Sequence, residues 1–90
     1  MNRCSHWIDG IPHPPSSDRW LPVFNPSDGR QFAEVATGNV SDVEAAVAAA
    51  QRAFPAWSTL ANSQRARWME KLADALEARL DDFARAESLD

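Results

Sequence analysis

The stretch Asn39 to Trp57, NVSDVEAAVAAAQRAFPAW, constrains this chain more than any other. Ser41 and Glu44 stand three apart just before a periodic apolar run. At that spacing the serine side chain accepts from the Glu44 amide while the carboxylate reaches back to the Ser41 amide, the capping box that marks a helix start. Val43, Ala46, Val47, Ala50, Ala53 and Phe54 then recur at the three-and-four spacing of one helical face. Pro55 disfavours helical dihedrals at Phe54 and is expected to end the element. The spacing therefore predicts an amphipathic helix over 39–55 with a smooth, Ala-rich inner face.

The segment before this helix, residues 1–38, reads as strands and loops. His6-Trp7-Ile8 followed by Asp9-Gly10 predicts a short strand entering a turn, because Asp-Gly accepts the positive backbone angles that such turns need. Ile11 to Ser17 holds Pro12, Pro14 and Pro15, which cannot donate to a ladder, and is expected to be a surface loop or edge connection. Trp20 to Phe24 is extended despite Pro22. Asn25-Pro26-Ser27-Asp28-Gly29 is a dense turn signal: proline presets one angle, the Asn and Asp side chains bond nearby backbone, and glycine takes the left-handed position. Arg30 to Thr37 alternates as a half-buried strand does, so Trp20 to Thr37 predicts a β-hairpin.

After Pro55, Ala56 to Ala61 is expected to be a loop carrying Trp57, with Asn62 or Ser63 capping a second helix over 62–90. Met69, Leu72, Leu76, Leu80 and Phe83 form its inner stripe, and Arg67, Glu70, Lys71, Asp74, Asp81, Asp82 and Arg85 fall mostly outside it. Asp81 and Arg85 have the favourable acid-first order. Ser88-Leu89-Asp90 supplies no glycine cap, proline or basic last turn, so this helix is expected to be truncated.

Composition narrows the function classes. Ninety residues make one small domain at most, burying about 60–65% of the unfolded surface. With 44% hydrophobic and 24% charged residues the chain is an ordinary globular sequence. Its net charge of −4, with acids interleaved among nine Lys and Arg residues, argues against a nucleic-acid partner. The longest apolar run, Ala45 to Ala50, is far short of the ~20 residues that span a bilayer. The N-terminus lacks the apolar stretch of a secretory signal, and one cysteine cannot form an internal disulfide; a cytoplasmic location is expected.

The residues that could carry chemistry are few. Cys4 is the lone thiol, near the free end, with no helix start or basic cluster beside it to activate a nucleophile. Cys4, His6, Asp9 and His13 are competent metal ligands by type, but their spacing matches no zinc pattern and they read as loop polar residues. Gly10, Gly29 and Gly38 make no phosphate-cradling loop. The acids of the second helix read as a solvated face. Trp7, Trp20, Trp57 and Trp68 read as core or interface packing in preference to a stacking platform. No catalytic, cofactor-binding or metal residue is assigned within residues 1–90.

The order I-D-G (Ile8 to Gly10), F-N-P-S-D-G (Phe24 to Gly29), D-V-E-A-A-V-A-A-A-Q-R-A-F-P-A-W (Asp42 to Trp57), R-A-R-W-M-E-K-L-A-D-A-L-E (Arg65 to Glu77) and A-E-S-L-D (Ala86 to Asp90) resembles the N-terminal region of the aldehyde dehydrogenase superfamily. The likeness runs over about four-fifths of the chain. It implies an α/β parent with a Rossmann-like coenzyme domain binding NAD or NADP. There a cysteine forms a thiohemiacetal, hydride transfer leaves a thioester, and a glutamate-activated water releases the carboxylic acid. The nucleophile, the base, the oxyanion-stabilising asparagine and the coenzyme-binding residues would lie after Asp90; Cys4 does not match the nucleophile's motif. The resemblance further implies that the Val23 and Phe24 carbonyls could face a monovalent cation, with its other ligands beyond Asp90. The ending F-A-R-A-E-S-L-D is similar to the branch acting on muconic-type semialdehydes.

Two readings follow. In the first the chain is the N-terminal part of the coenzyme domain of an aldehyde dehydrogenase, itself a homodimer or homotetramer, and alone neither binds NAD nor oxidises aldehydes. In the second it is a free-standing helical-hairpin interaction module without catalytic activity. Coding sequence past Asp90 separates them.

Overall fold

The computed structural model describes residues 2–90. Five strands precede three helices: β1 (Asn2–Cys4), β2 (His6–Ile8), β3 (Ile11–His13), β4 (Trp20–Phe24), β5 (Gln31–Ala36), α1 (Val40–Ser58), α2 (Asn62–Ala78) and α3 (Leu80–Leu89). One sheet has the order β1-β5-β4, and β2 and β3 form a separate ribbon.

The Asp-Gly turn forms as its chemistry dictates. Asp9 and Gly10 both have positive φ, 56° and 76°, the pair of angles whose twist matches a two-residue hairpin. The expected loop at Ile11 to Ser17 is corrected in its first half. Ile11–His13 is a strand, pairing Ile8 with Ile11, Trp7 with Pro12 and His6 with His13. Pro12 is tolerated because β3 is an edge strand, where a missing amide breaks no central ladder.

The β4–β5 hairpin forms at the expected turn. Asn25 and Arg30 bond across its neck at 2.8 Å, the Asn25 side chain accepts the Ser27 amide at 2.9 Å, and the Asp28 side chain accepts the Arg30 amide at 2.9 Å. Gly29 takes the left-handed position at φ 71°. A register shift falls between Val23 and Phe24. Unforeseen is β1, which lies parallel to β5 with Cys4 opposite Val35, so the N-terminal segment is held in the sheet.

Four helix boundaries depart from the sequence reading. The capping box of α1 lies two residues earlier than Ser41/Glu44. Asn39, with extended backbone, accepts the Asp42 amide at 2.9 Å, and the Asp42 carboxylate accepts the Asn39 amide at 3.3 Å. Pro55 does not end α1. The helix continues through Pro55 to Ser58, with Thr59 as its cap, and so absorbs part of the expected 56–61 loop. A proline this close to the end forfeits one backbone bond. Meanwhile the Ser58 and Thr59 hydroxyls and the Thr59 amide all donate to the Pro55 carbonyl, which satisfies the last turn.

The second helix is capped at Ala61, not at Asn62 or Ser63. Gln64 accepts the Ala61 amide at 3.2 Å, and the Arg65 guanidinium donates to the Leu60 carbonyl and the Asn62 side chain, clamping the corner between α1 and α2. The expected helix over 62–90 is two helices, broken at Arg79 (φ −120°, ψ 29°), so the described residues form three helices and not two. Asp81 and Asp82 occupy the first turn of α3, where carboxylates meet the positive end of the helix dipole. The Arg79 side chain turns to Asp82 at 3.3 Å, the ion pair of this corner in place of Asp81–Arg85.

The elements do not enclose a core. Pro15, Ala33 and Ala49 are the only buried apolar residues among those described. Seventeen large hydrophobic side chains are exposed, including Val43, Leu72, Leu76 and Phe83 from the two expected inner faces. The radius of gyration is 16.6 Å, against about 12 Å for a compact chain of this length.

Candidate functional site

The best-organised polar cluster surrounds Asp42, the one buried charged residue among those described, at 4% exposure. As third residue of α1 it closes the capping box, and from there its carboxylate reaches two other elements. The Ser16 amide donates to it at 3.2 Å from the loop after β3, and His6 Nε2 on β2 lies 3.3 Å away. The Ser16 hydroxyl donates to Asn39 at 2.9 Å. Burial raises the Asp42 pKa. The Ser16 amide and hydroxyl, the Asn39 amide and the His6 ring outweigh it and hold the carboxyl below its ordinary value. Every one of these groups is engaged in holding the β2–β3 ribbon to the helix start.

The four metal-competent side chains do not converge. Cys4 is exposed on β1. His6 is committed to Asp42. Asp9, at the ribbon's tip, faces Arg52 of α1 at 3.8 Å. His13 sits across the ribbon from His6, with Nδ1 enclosed and without a hydrogen-bond partner among the described residues. No group of three or more His, Cys, Asp or Glu side chains able to hold a metal occurs among the described residues.

The tryptophans are not core within this chain. Trp7, Trp57 and Trp68 are 70%, 41% and 56% exposed. Arg3 stacks over Trp20 at 4.8 Å while pairing with Glu34 at 2.7 Å, and Lys71 stacks over Trp68 at 4.7 Å. The acids of α2 and α3 lie exposed, as a solvated face does. No helix among the described residues is long and apolar enough to cross a membrane.

Two of the molecule's apolar concavities lie between elements. Trp7 and Ile8 of the ribbon face Ala46, Ala49, Ala50 and Ala53 of α1 across a groove of about 370 Å³. A larger cleft of about 510 Å³ lies between the sheet and the end of α3, and takes in Val23, Leu89 and Asp90. Val23, one of the two residues with candidate cation-binding carbonyls, thus lines the same cleft as Asp90.

With this geometry in hand, comparison with known proteins is specific. The aldehyde dehydrogenase family profile matches residues 13–90. The chain is 40% identical over 85 residues to 2-aminomuconic semialdehyde dehydrogenase of Homo sapiens, an alignment covering 94% of this chain and 17% of that protein. It is 36% identical over 90 residues to 5-carboxymethyl-2-hydroxymuconate semialdehyde dehydrogenase of Escherichia coli, covering 100% of this chain and 19% of the relative. The crystal structure of PnpE in complex with nicotinamide adenine dinucleotide superposes with a TM-score of 0.92 at 40% identity, over 96% of this chain and 18% of that one. PnpE from Pseudomonas sp. WBC-3 gives the same TM-score at 39% identity. The chain thus spans less than a fifth of the length of the relatives it matches. Across nearly all of its own residues, in sequence and in three dimensions, this chain belongs to the aldehyde dehydrogenase family.

Proposed function

We propose that this chain is the N-terminal part of an NAD(P)-linked aldehyde dehydrogenase that oxidises an aldehyde to a carboxylic acid through a cysteine thiohemiacetal and thioester. The observation that carries this is the superposition of 96% of the chain on 18% of a dinucleotide-bound relative. The hairpins and helices form the edge of a Rossmann-like coenzyme domain, and every catalytic and coenzyme-binding group lies after Asp90. The substrate class we favour is muconic-type semialdehydes, supported by two relatives named for such substrates. The parent is a cytoplasmic homodimer or homotetramer.

The test is to express the polypeptide read from the coding sequence past Asp90 and to follow NAD(P)H formation with a muconic semialdehyde, a simple aliphatic aldehyde and betaine aldehyde. Coenzyme reduction with the first in preference to the others is the expected result. Absence of aldehyde-dependent reduction would remove the assignment. Calorimetry of the 90-residue chain with NAD should show no binding at micromolar concentration. We further propose that the Val23 and Phe24 carbonyls hold a monovalent cation in the complete enzyme. The chemistry fits, since neutral carbonyl oxygens suit a hard, singly charged ion. Its check is a structure of the complete protein in potassium, where those carbonyls without an adjacent ion would dismiss the idea.

A further inference from the structure

A smaller concavity of about 250 Å³ opens at the corner between α1 and α2, lined by Leu60, Gln64, Arg67, Trp68 and Lys71. Two cations and no acid line it, on a chain whose net charge is −4. Arg67 makes no ion pair or hydrogen bond among the described residues, whereas Arg3, Arg52 and Arg79 each face a carboxylate. Glu70 and Asp74 stand three residues on from Arg67 and Lys71, yet neither pairs with them. The Lys71 ammonium lies over the Trp68 ring, 4.7 Å from its centre, so its charge also meets no carboxylate. Gln64 spends its side-chain oxygen on the Ala61 amide at 3.2 Å, which leaves its NH2 as the end free to donate. The Arg65 guanidinium holds the Leu60 wall in place by donating to the Leu60 carbonyl.

We propose that this concavity binds a small planar organic anion, an aromatic or conjugated carboxylate. Its polar side chains offer donors, and a guanidinium beside an ammonium matches a carboxylate in charge and, through the paired N–H groups of arginine, in shape. Leu60 and Trp68 give the rest of the ligand an apolar seat. Trp68 is 56% exposed, and a flat unsaturated group against the indole withdraws both surfaces from water in the offset or edge-to-face arrangements that such groups favour. An inorganic anion gains nothing from those two walls, so the union of indole and cations selects an organic one. The volume lies below the ~300 Å³ at which pockets for drug-sized ligands begin, which limits the ligand to about the size of benzoate. None of these residues is placed in the dehydrogenase chemistry, so the assignment goes beyond that reading and does not depend on it.

The experiment uses the polypeptide as encoded, irradiated with 4-azidobenzoate, digested and mapped by mass spectrometry. The expected product carries the label within residues 60–71. Excess benzoate should suppress it about tenfold, while acetate at the same ionic strength should leave it in place. Arg67→Gln combined with Lys71→Gln should lower labelling of this segment by about the same factor, because two charge-assisted contacts are lost. Arg67→Lys, which keeps the charge, should retain most of it, and this separates loss of charge from loss of fold. Trp68→Leu should weaken the competition by benzoate. Absence of label in residues 60–71, or label that survives benzoate or the double substitution, overturns the site. Suppression by acetate as strong as by benzoate overturns the planar ligand class. Aldehyde oxidation is assayed separately on the same preparation, so failure of labelling leaves the enzyme assignment standing and failure of oxidation leaves the anion site standing.

Discussion

Asp42 shows how one side chain can set a boundary that local pattern leaves ambiguous. The sequence offers S-x-x-E at Ser41 and, two residues earlier, N-x-x-D at Asn39, and both satisfy the capping rule. The second prevails because its acid also receives His6 and Ser16, partners 36 and 26 residues away that a local reading cannot see. Replacing Asn39 by Ala removes the cap acceptor and the Ser16 hydroxyl's partner, and should destabilise the chain by about 1 kcal/mol, read as a lower urea midpoint.

Asp42→Asn should also destabilise, and it should change the response to acid. The folded-state pKa of Asp42 is depressed, so its contribution is present above the unfolded-state value and is lost as the pH falls through the folded one. Urea midpoints measured from neutral pH down to below pH 4, the region of an ordinary carboxylate, should therefore fall less steeply in Asp42→Asn than in the parent. Parallel curves would show that Asp42 carries no such linkage.

At the scale of elements, what was legible depended on whether the signal was local. The Asp9-Gly10 and Asn25–Gly29 turns formed as read, because their side chains and backbone angles specify them without outside help. Gly10→Ala makes that statement quantitative. A Cβ there would meet nothing within 4 Å, so the cost is the positive φ alone, about 1–2 kcal/mol. It should appear as a lower melting temperature with the β2–β3 ribbon losing amide protection first.

The strands β1 and β3 were missed for opposite reasons. β1 exists only by pairing with β5, a long-range event, whereas β3 was masked by proline in a position where an edge strand tolerates it. The α2–α3 break had a signal that was passed over: Leu80-Asp81-Asp82 places two acids where a helix N-terminus wants them, inside a stripe whose periodicity ran on undisturbed. Pro55 was over-read as a stop. Pro55→Ala should restore the amide bond within α1 and raise helicity by circular dichroism, with a stabilisation below the ~3 kcal/mol of a mid-helix proline because only the last turn benefits. The candidate site was not legible in the sequence. Residue types and spacing offered no nucleophile with a base, and the fold brings His6 and Asp42 together for structure, a pairing no spacing within the sequence announced.

For the molecule as a whole, surface area says what the elements cannot settle singly. A folded monomer of 10.0 kDa is expected to expose about 5,200 Å². This chain exposes 7269 Å². The excess of about 2,000 Å² exceeds the ~800 Å² that each partner contributes to a standard protein–protein interface. It is carried by Val43, Val47 and Phe54 on α1 and by Met69, Leu72, Leu76 and Phe83 on α2 and α3, at exposures from 42% to 65%. Such faces leave water one way or another. If the chain is part of a longer aldehyde dehydrogenase, as proposed above, the rest of the polypeptide covers them. In the isolated 90-residue chain the nearest apolar surface is another copy, so sedimentation velocity should show the weight-average coefficient rising with concentration, alongside a broad thermal transition. Placing charge in the stripe with Leu72→Glu and Leu76→Glu should reduce that association while leaving the β4–β5 hairpin's amide protection intact, because neither side chain touches the sheet's turn or ladder. A monodisperse monomer with a sharp, cooperative melt would show instead that 90 residues with so few buried apolar side chains can stand alone, and would move the free-standing module ahead of the enzyme reading.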